Sequence, residues 1–260
     1  MTQPTTRLPG GLAPQPGAAS GAKVIATQTA FEVKTTLRNG EQLVLTIVIP
    51  LIVLLAMSHA PASIVGGSPV INIVTPGVFG LAVMSTAFTG LAIATAFERR
   101  YGVLRFLGST PLGRVGFLTA KTLSVLVIEI VQIALLAIVA FATGWQPTGS
   151  WAYAVIVLLV GTASFAALGL LLAGTLRAEG TLAVANLIYL VLLGLGGVIV
   201  PANRFPQGIS HVISLLPSSA LGDGLRSSLI HGVFPAADLT ILLGWFLIGL
   251  FGVTRWFRWS

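Results

Sequence analysis

The chain has no cysteine, three lysines and three histidines, and only 8% of its 260 residues are charged. Each shortage closes off a class of chemistry. Without cysteine there is neither a disulfide framework nor a thiolate metal site. None of the lysines, Lys23, Lys34 and Lys121, follows a glycine, so the glycine-lysine step of a phosphate-binding loop is missing and the chain carries no visible motif for nucleotide hydrolysis. The histidines, His59, His211 and His231, have neither His-Glu-x-x-His spacing nor a nearby pair of carboxylates, which leaves no metal ligand set to nominate. A soluble domain carries roughly 25% charged residues. A chain with a third of that has little surface to offer water.

What the sequence does have is length in apolar runs, with 55% of its residues hydrophobic. A helix needs about 20 such residues to cross the roughly 30 Å hydrocarbon core of a bilayer. Six runs qualify: Gln42 to Ser58, Asn72 to Phe97, Val115 to Thr143, Ser150 to Thr175, Thr181 to Val200 and Ala237 to Trp256. The first is short and contains Pro50, which a membrane helix tolerates where neighbours satisfy the carbonyl that proline frees. These runs predict an all-α membrane protein whose residues 42–260 form one domain of six transmembrane helices.

The 14 Lys and Arg outnumber the 7 Asp and Glu, a balance that in a soluble protein points to nucleic acid. Here the basic residues flank the apolar runs, so they read as orientation signals and nucleic acid is not a predicted partner. With both termini cytoplasmic, the inner segments hold Arg7, Lys23, Lys34 and Arg38, then Arg99, Arg100, Arg105, Arg114 and Lys121, then Arg177, then Arg255 and Arg258. Only Arg204 and Arg226 fall outside. The positive-inside rule therefore predicts a multi-pass cell-membrane protein with the 97–114 loop in the cytoplasm.

Two flanking regions complete the organisation. Residues 1–21, rich in Pro, Gly and Ala and without the apolar core of a signal peptide, predict an uncleaved, disordered cytoplasmic tail. Over 22–41 a weak stripe of Ala22, Ala26, Ala30, Val33 and Leu37 fits an interfacial helix, with a solvated linker as the alternative. The external stretch 201–235 reads as two short helices, Gln207 to Leu216 and Ser218 to His231. The second starts behind Pro217 and places Leu221, Leu225 and Leu229 on one face. Neither can span a bilayer, so they fit a re-entrant hairpin, or else an ordinary external loop.

Within the apolar runs the residue to explain is Glu129, because a carboxylate at the centre of a membrane helix costs roughly 2.5–3.5 kcal/mol on insertion scales. Thr122 and Gln132 share its helical face, and Glu129 itself lies about 12 Å deeper than Lys121 at 1.5 Å per residue. Glu129 could line a transport path, bond a neighbouring helix or pair with a basic residue. Asn186 and Tyr189 share a face on the fifth run, as Ser85 and Thr89 do on the second. Interhelical hydrogen bonds are the ordinary use of such groups, and lining a conduit is the alternative.

Two segments carry a family resemblance. Glu98-Arg-Arg-Tyr-Gly-Val-Leu-Arg-Phe-Leu-Gly-Ser-Thr-Pro-Leu-Gly-Arg114 resembles the cytoplasmic loop of type-2 ABC exporter permeases, in which a charged, glycine-containing helix runs into a Thr-Pro-Leu-x-Arg turn. Leu216-Pro-Ser-Ser-Ala-Leu-Gly-Asp-Gly-Leu-Arg226 is similar to the segment before the last span in that family, with Pro217, Asp223 and Arg226 as its marked positions. It departs in its Ser-Ser and Gly-Asp-Gly, where bulkier residues are expected, which implies a less rigid external helix. The resemblance covers about Ala22 to Trp256.

It implies an export permease without cofactor of its own, driven by ATP and Mg on a separate ABC ATP-binding subunit present in two copies. It also implies a second permease chain, identical or paralogous, and membrane lipid as surroundings. Glu98, Arg99, Arg100, Tyr101, Leu104 and Arg105 are the expected ATPase-coupling residues. Phe97, Tyr101 and Leu104 would insert into the ATPase, with Arg99, Arg100 and Arg105 at the rim. Glu129, Gln132, Asn186 and Tyr189 are the candidates for a substrate path. Drug and antibiotic exporters are the nearest comparison, with a hydrophobic or amphipathic cargo. Lipid or polysaccharide export, and an ATP-independent secondary transporter or channel, remain open alternatives.

Overall fold

A computed structural model of the chain describes residues 19–40, 44–61, 63, 69–108, 110 and 112–258. The tail expected over 1–21 lies almost wholly outside them, as does part of the Thr-Pro-Leu turn. The described elements are helices: α1 (Gly21–Arg38), α2 (Thr46–Ser58), α3 (Val70–Arg100), α4 (Val103–Gly108), α5 (Gly113–Ala142), α6 (Trp151–Thr175), α7 (Ala178–Leu195), α8 (Gln207–Ser214), α9 (Pro217–Arg226) and α10 (Ala236–Trp256). Among the described residues, five helices are long and apolar enough to cross a membrane: α3, α5, α6, α7 and α10. The first expected span, α2, is shorter, about 20 Å at 1.5 Å per residue.

The helix α3 forms the centre. Phe79, Leu81, Met84 and Ala87 are fully buried in it, and α2, α5, α6, α7 and α9 pack around it. Glycines set the tightest of these contacts. A Cβ on Gly169 of α6 would lie 2.8 Å from the Phe88 carbonyl of α3, and one on Gly249 of α10 would lie 2.8 Å from Ala167 of α6. Small residues let membrane helices approach until backbone atoms touch, where dispersion does the work that the hydrophobic effect does in water. By contrast α7 and α10 leave Leu187, Leu190, Leu247 and Phe251 exposed. Those outer faces have the composition of a surface against lipid or another apolar helix.

Two boundaries differ from the sequence reading, both for backbone reasons. The fifth run was expected to continue to Val200, but α7 stops at Leu195. Gly197 takes φ +74, a left-handed conformation that ends helices, and the chain bends through 196–200. Similarly, the charged, glycine-containing helix that the resemblance implies is not continuous. Gly102 has φ +75, so α3 ends at Arg100 and α4 restarts at Val103.

The chain gathers two ends. Near one lie the start of α1, the Arg100 end of α3, the start of α5, and the α6–α7 turn, where the Arg258 amide donates to Gly174. Near the other lie α8, α9 and the α5–α6 turn, whose Gly149 and Ser150 amides donate to Leu229 and Ser228. Phe79, Phe141, Trp145 and Trp151 form an aromatic cluster at that second end, in which Phe79 and Trp151 meet Trp145 edge-on and Phe141 is tilted against it.

Candidate functional site

The first end is basic. Its organising residue is Lys121 on α5, which is buried and meets two carboxylates. Glu32 of α1 accepts from Lys121 Nζ at 2.8 Å, and Glu98 of α3 accepts from it as well. Gln28 holds the other Glu32 oxygen at 2.8 Å. Taking charges out of water costs several kcal/mol per ion unless partners and hydrogen bonds compensate, and here the two carboxylates compensate Lys121 and tie three helices together. Glu32 was absent from the expected site residues. Its signal was a lone acid with Gln28 one turn before it, on a helix whose apolar stripe faces elsewhere.

That triad explains the course of α1. Ile25 lies near Gly116, the Thr29 hydroxyl donates to the Ala120 carbonyl at 3.4 Å, and Glu32 reaches Lys121. The helix therefore leans along α5 in the same direction. Its packed face is Ile25, Thr29 and Glu32, whereas Ala22, Ala26, Ala30 and Leu37 of the expected stripe are exposed.

The loop residues divide by this geometry. Glu98 points inward to Lys121, and Arg99 donates to the Leu176 carbonyl, joining α3 to the α6–α7 turn. Arg100 pairs with Glu179 of α7 on the surface and sits 5.9 Å from the Tyr101 ring, which stacks on Phe97 at 6.2 Å. Tyr101 is 72% exposed, but Leu104 is 1% exposed. The single face of Phe97, Tyr101 and Leu104 is thus not formed, because the break at Gly102 rotates Leu104 into the protein. The outer surface consists of Tyr101, Val103, Arg105 and Phe106 instead.

Halfway along α5, Glu129 accepts from the Thr162 hydroxyl of α6 at 2.6 Å, and its second oxygen is buried without a partner among the described residues. Gln132 accepts from Thr86 of α3 at 2.7 Å and donates to the Thr46 carbonyl at 2.7 Å. Thr46 lies four residues before Pro50, which has no N–H to give it. Gln132 is the neighbour that the proline requires. Tyr189 is buried, while Asn186 lies on the exposed face of α7. The two, three positions apart, straddle the edge of the packed face.

At the opposite end Arg226 is buried and pairs with Asp223 at 2.8 Å. Its guanidinium also donates to the carbonyls of Gly197 and Val198, each at 2.9 Å. Ser218 donates to the Gly196 carbonyl at 2.7 Å, and Ser219 to Asp223 at 3.0 Å. Pro217 opens α9, and Leu221, Leu225 and Leu229 are all fully buried. The Ser-Ser and Gly-Asp-Gly positions, where bulkier residues were expected, face neighbouring segments. They are its contacts, since a Cβ on Gly222 would lie 2.7 Å from the Val198 carbonyl and one on Gly77 of α3 would lie 2.4 Å from it. The bend after α7 is wedged between two helices and capped by one arginine.

The comparisons agree with the two marked segments. The family model described as ABC-2 type transporter matches residues 24–230, which include both the Glu98–Arg114 loop and the Pro217–Arg226 helix. A Bacillus subtilis (strain 168) protein described as "Putative transport permease YvfS" is 25% identical over 175 residues, covering 64% of this chain and 69% of that protein. The described helices include five able to cross a bilayer, and the family match spans most of the chain. This protein belongs to the ABC-2 type transporter family and is a multi-pass membrane permease.

Proposed function

We propose that the chain is the membrane subunit of an ATP-driven exporter, with six spans, cytoplasmic termini and the basic end turned toward the cytoplasm. Two ABC ATP-binding subunits, carrying ATP and Mg, would dock at that end, and a second permease chain would complete the pathway. The observation that carries this reading is the Glu32–Lys121–Glu98 triad, whose Glu98 lies on the same last turn of α3 that leads into the exposed Tyr101. A docked partner pushing on this surface acts on Glu98 and Arg99, which are tied to α1, α5 and the α6–α7 turn. Motion at the loop therefore reaches four segments at once. Glu98, Arg99, Arg100, Tyr101 and Arg105 keep the coupling role, with Leu104 as the buried anchor of α4.

The cargo proposed is hydrophobic or amphipathic, because hydrophobic side chains far outnumber charged ones inside the described bundle and Glu129 and Gln132 are bonded to neighbouring helices. The test is co-expression with the ABC ATPase of the same transport system. The pair should copurify with ATPase activity above that of the ATPase alone. Arg100→Ala with Tyr101→Ala should leave assembly intact and lower transport per ATP at least tenfold. Unchanged coupling in that variant, or ion-gradient-driven transport by the lone permease, would overturn the assignment.

A further inference from the structure

Between α1 and α5 lies an open groove of about 900 Å³, a volume within the roughly 300–1,000 Å³ range of ligand pockets. Ala30, Val33 and Leu37 wall it on α1, and Leu123, Val127 and Ile130 wall it on α5. Its only charged lining groups among the described residues are Lys34 and Arg38, one helical turn apart and both exposed. Neither is in any ion pair among the described residues. The nearby carboxylate on the same helix, Glu32, is already engaged by Lys121 and Gln28.

Their position sharpens the problem. Glu32 is level with Lys121, so Lys34 and Arg38 lie beyond it, beside Leu123, Leu126, Val127 and Ile130 of a membrane-crossing helix. Cations at such a position either reach back to the interface or take a counter-anion, because hydrocarbon supplies none. A long apolar trough with two uncommitted cations on one edge matches a molecule with a hydrocarbon chain and an anionic head. We propose that this groove is a specific site for an anionic phospholipid, whose phosphate lies between Lys34 and Arg38 and whose acyl chain lies along Leu123, Val127 and Ile130. The alanines explain themselves on this reading. Ala26 and Ala30 keep the trough open where larger side chains would fill it.

The site does not depend on the proposed ATPase partner, so it can be tested on the purified permease alone. Native mass spectrometry of the full chain in detergent, titrated with phosphatidylglycerol or phosphatidylcholine of equal chain length, measures the preference directly. A basic residue beside an anionic headgroup contributes about fivefold in affinity. The wild type should favour phosphatidylglycerol by tenfold or more, and Lys34→Gln with Arg38→Gln should remove that preference. Exchanging the two cations, Lys34→Arg with Arg38→Lys, should retain it. Val127→Trp, which fills the trough from a half-exposed position, should weaken both lipids. Equal binding of the two lipids by the wild type, an unchanged preference in the double glutamine variant, equal competition by glycerol phosphate without acyl chains, or a second copy of the permease bound there instead would each overturn the proposal.

Discussion

The tie between Pro50 and Gln132 shows how one residue dictates another far away in sequence. Proline removes a donor from α2, and the Thr46 carbonyl so released is met by Gln132 on α5 at 2.7 Å. Leaving a buried polar group unmet costs about 1–3 kcal/mol. Gln132→Leu should therefore destabilise the protein by about 2 kcal/mol or more, since the Thr86 hydroxyl also loses its acceptor. Pro50→Ala returns the missing N–H to α2, so in that background the same substitution should cost about 1 kcal/mol less. A thermodynamic cycle over the four proteins, read by chemical unfolding in detergent, measures this coupling. Equal costs in both backgrounds would disprove the link. The sequence announced that Pro50 needs a partner, but no spacing rule could name Gln132, because the pairing depends on how α2 lies against α5.

At the scale of elements, small residues decide where helices end and how closely they meet. The bend after α7 fits only because Gly77 and Gly222 offer no side chain to the Val198 carbonyl. Gly77→Ala would place a methyl group 2.4 Å from that backbone oxygen, and overpacking of this kind costs about 1–3 kcal/mol. Its thermal unfolding midpoint should fall by several degrees, while Gly244→Ala, with open space around its Cβ position, should leave the midpoint unchanged. A Gly77→Ala protein as stable as the parent would show that the wedge is not tight. The apolar stripes were legible in the same way but only in part. Leu221, Leu225 and Leu229 share a buried face as their spacing predicts, whereas Phe97, Tyr101 and Leu104 do not, since a glycine with φ +75 separates them. A periodicity count assumes an unbroken helix, and Gly102 breaks it.

For the molecule as a whole, the two ends are chemically distinct. Arg99, Arg100, Arg177, Arg255 and Arg258 lie toward one, and Arg226 toward the other. The absence of cysteine makes the proposed orientation easy to test with single cysteines. Tyr101→Cys, highly exposed in the folded chain, should react with a membrane-impermeant maleimide only after the cells are opened. Gly208→Cys on α8, with open space around it, should react in intact cells. The reverse pattern would invert the topology. Composition and run length by themselves determined that this chain is helical and lives in a membrane, because a backbone in hydrocarbon has few ways to satisfy its own hydrogen bonds. The two marked segments identified its family. Only the tertiary structure decided which charges are structural and which remain on the surface. Lys121 is committed to Glu32 and Glu98, whereas Lys34 and Arg38 stand beside an apolar trough. The physical reason is that a charge's role in a membrane depends on the neighbour that compensates it, and that neighbour is supplied by helix packing rather than by sequence spacing.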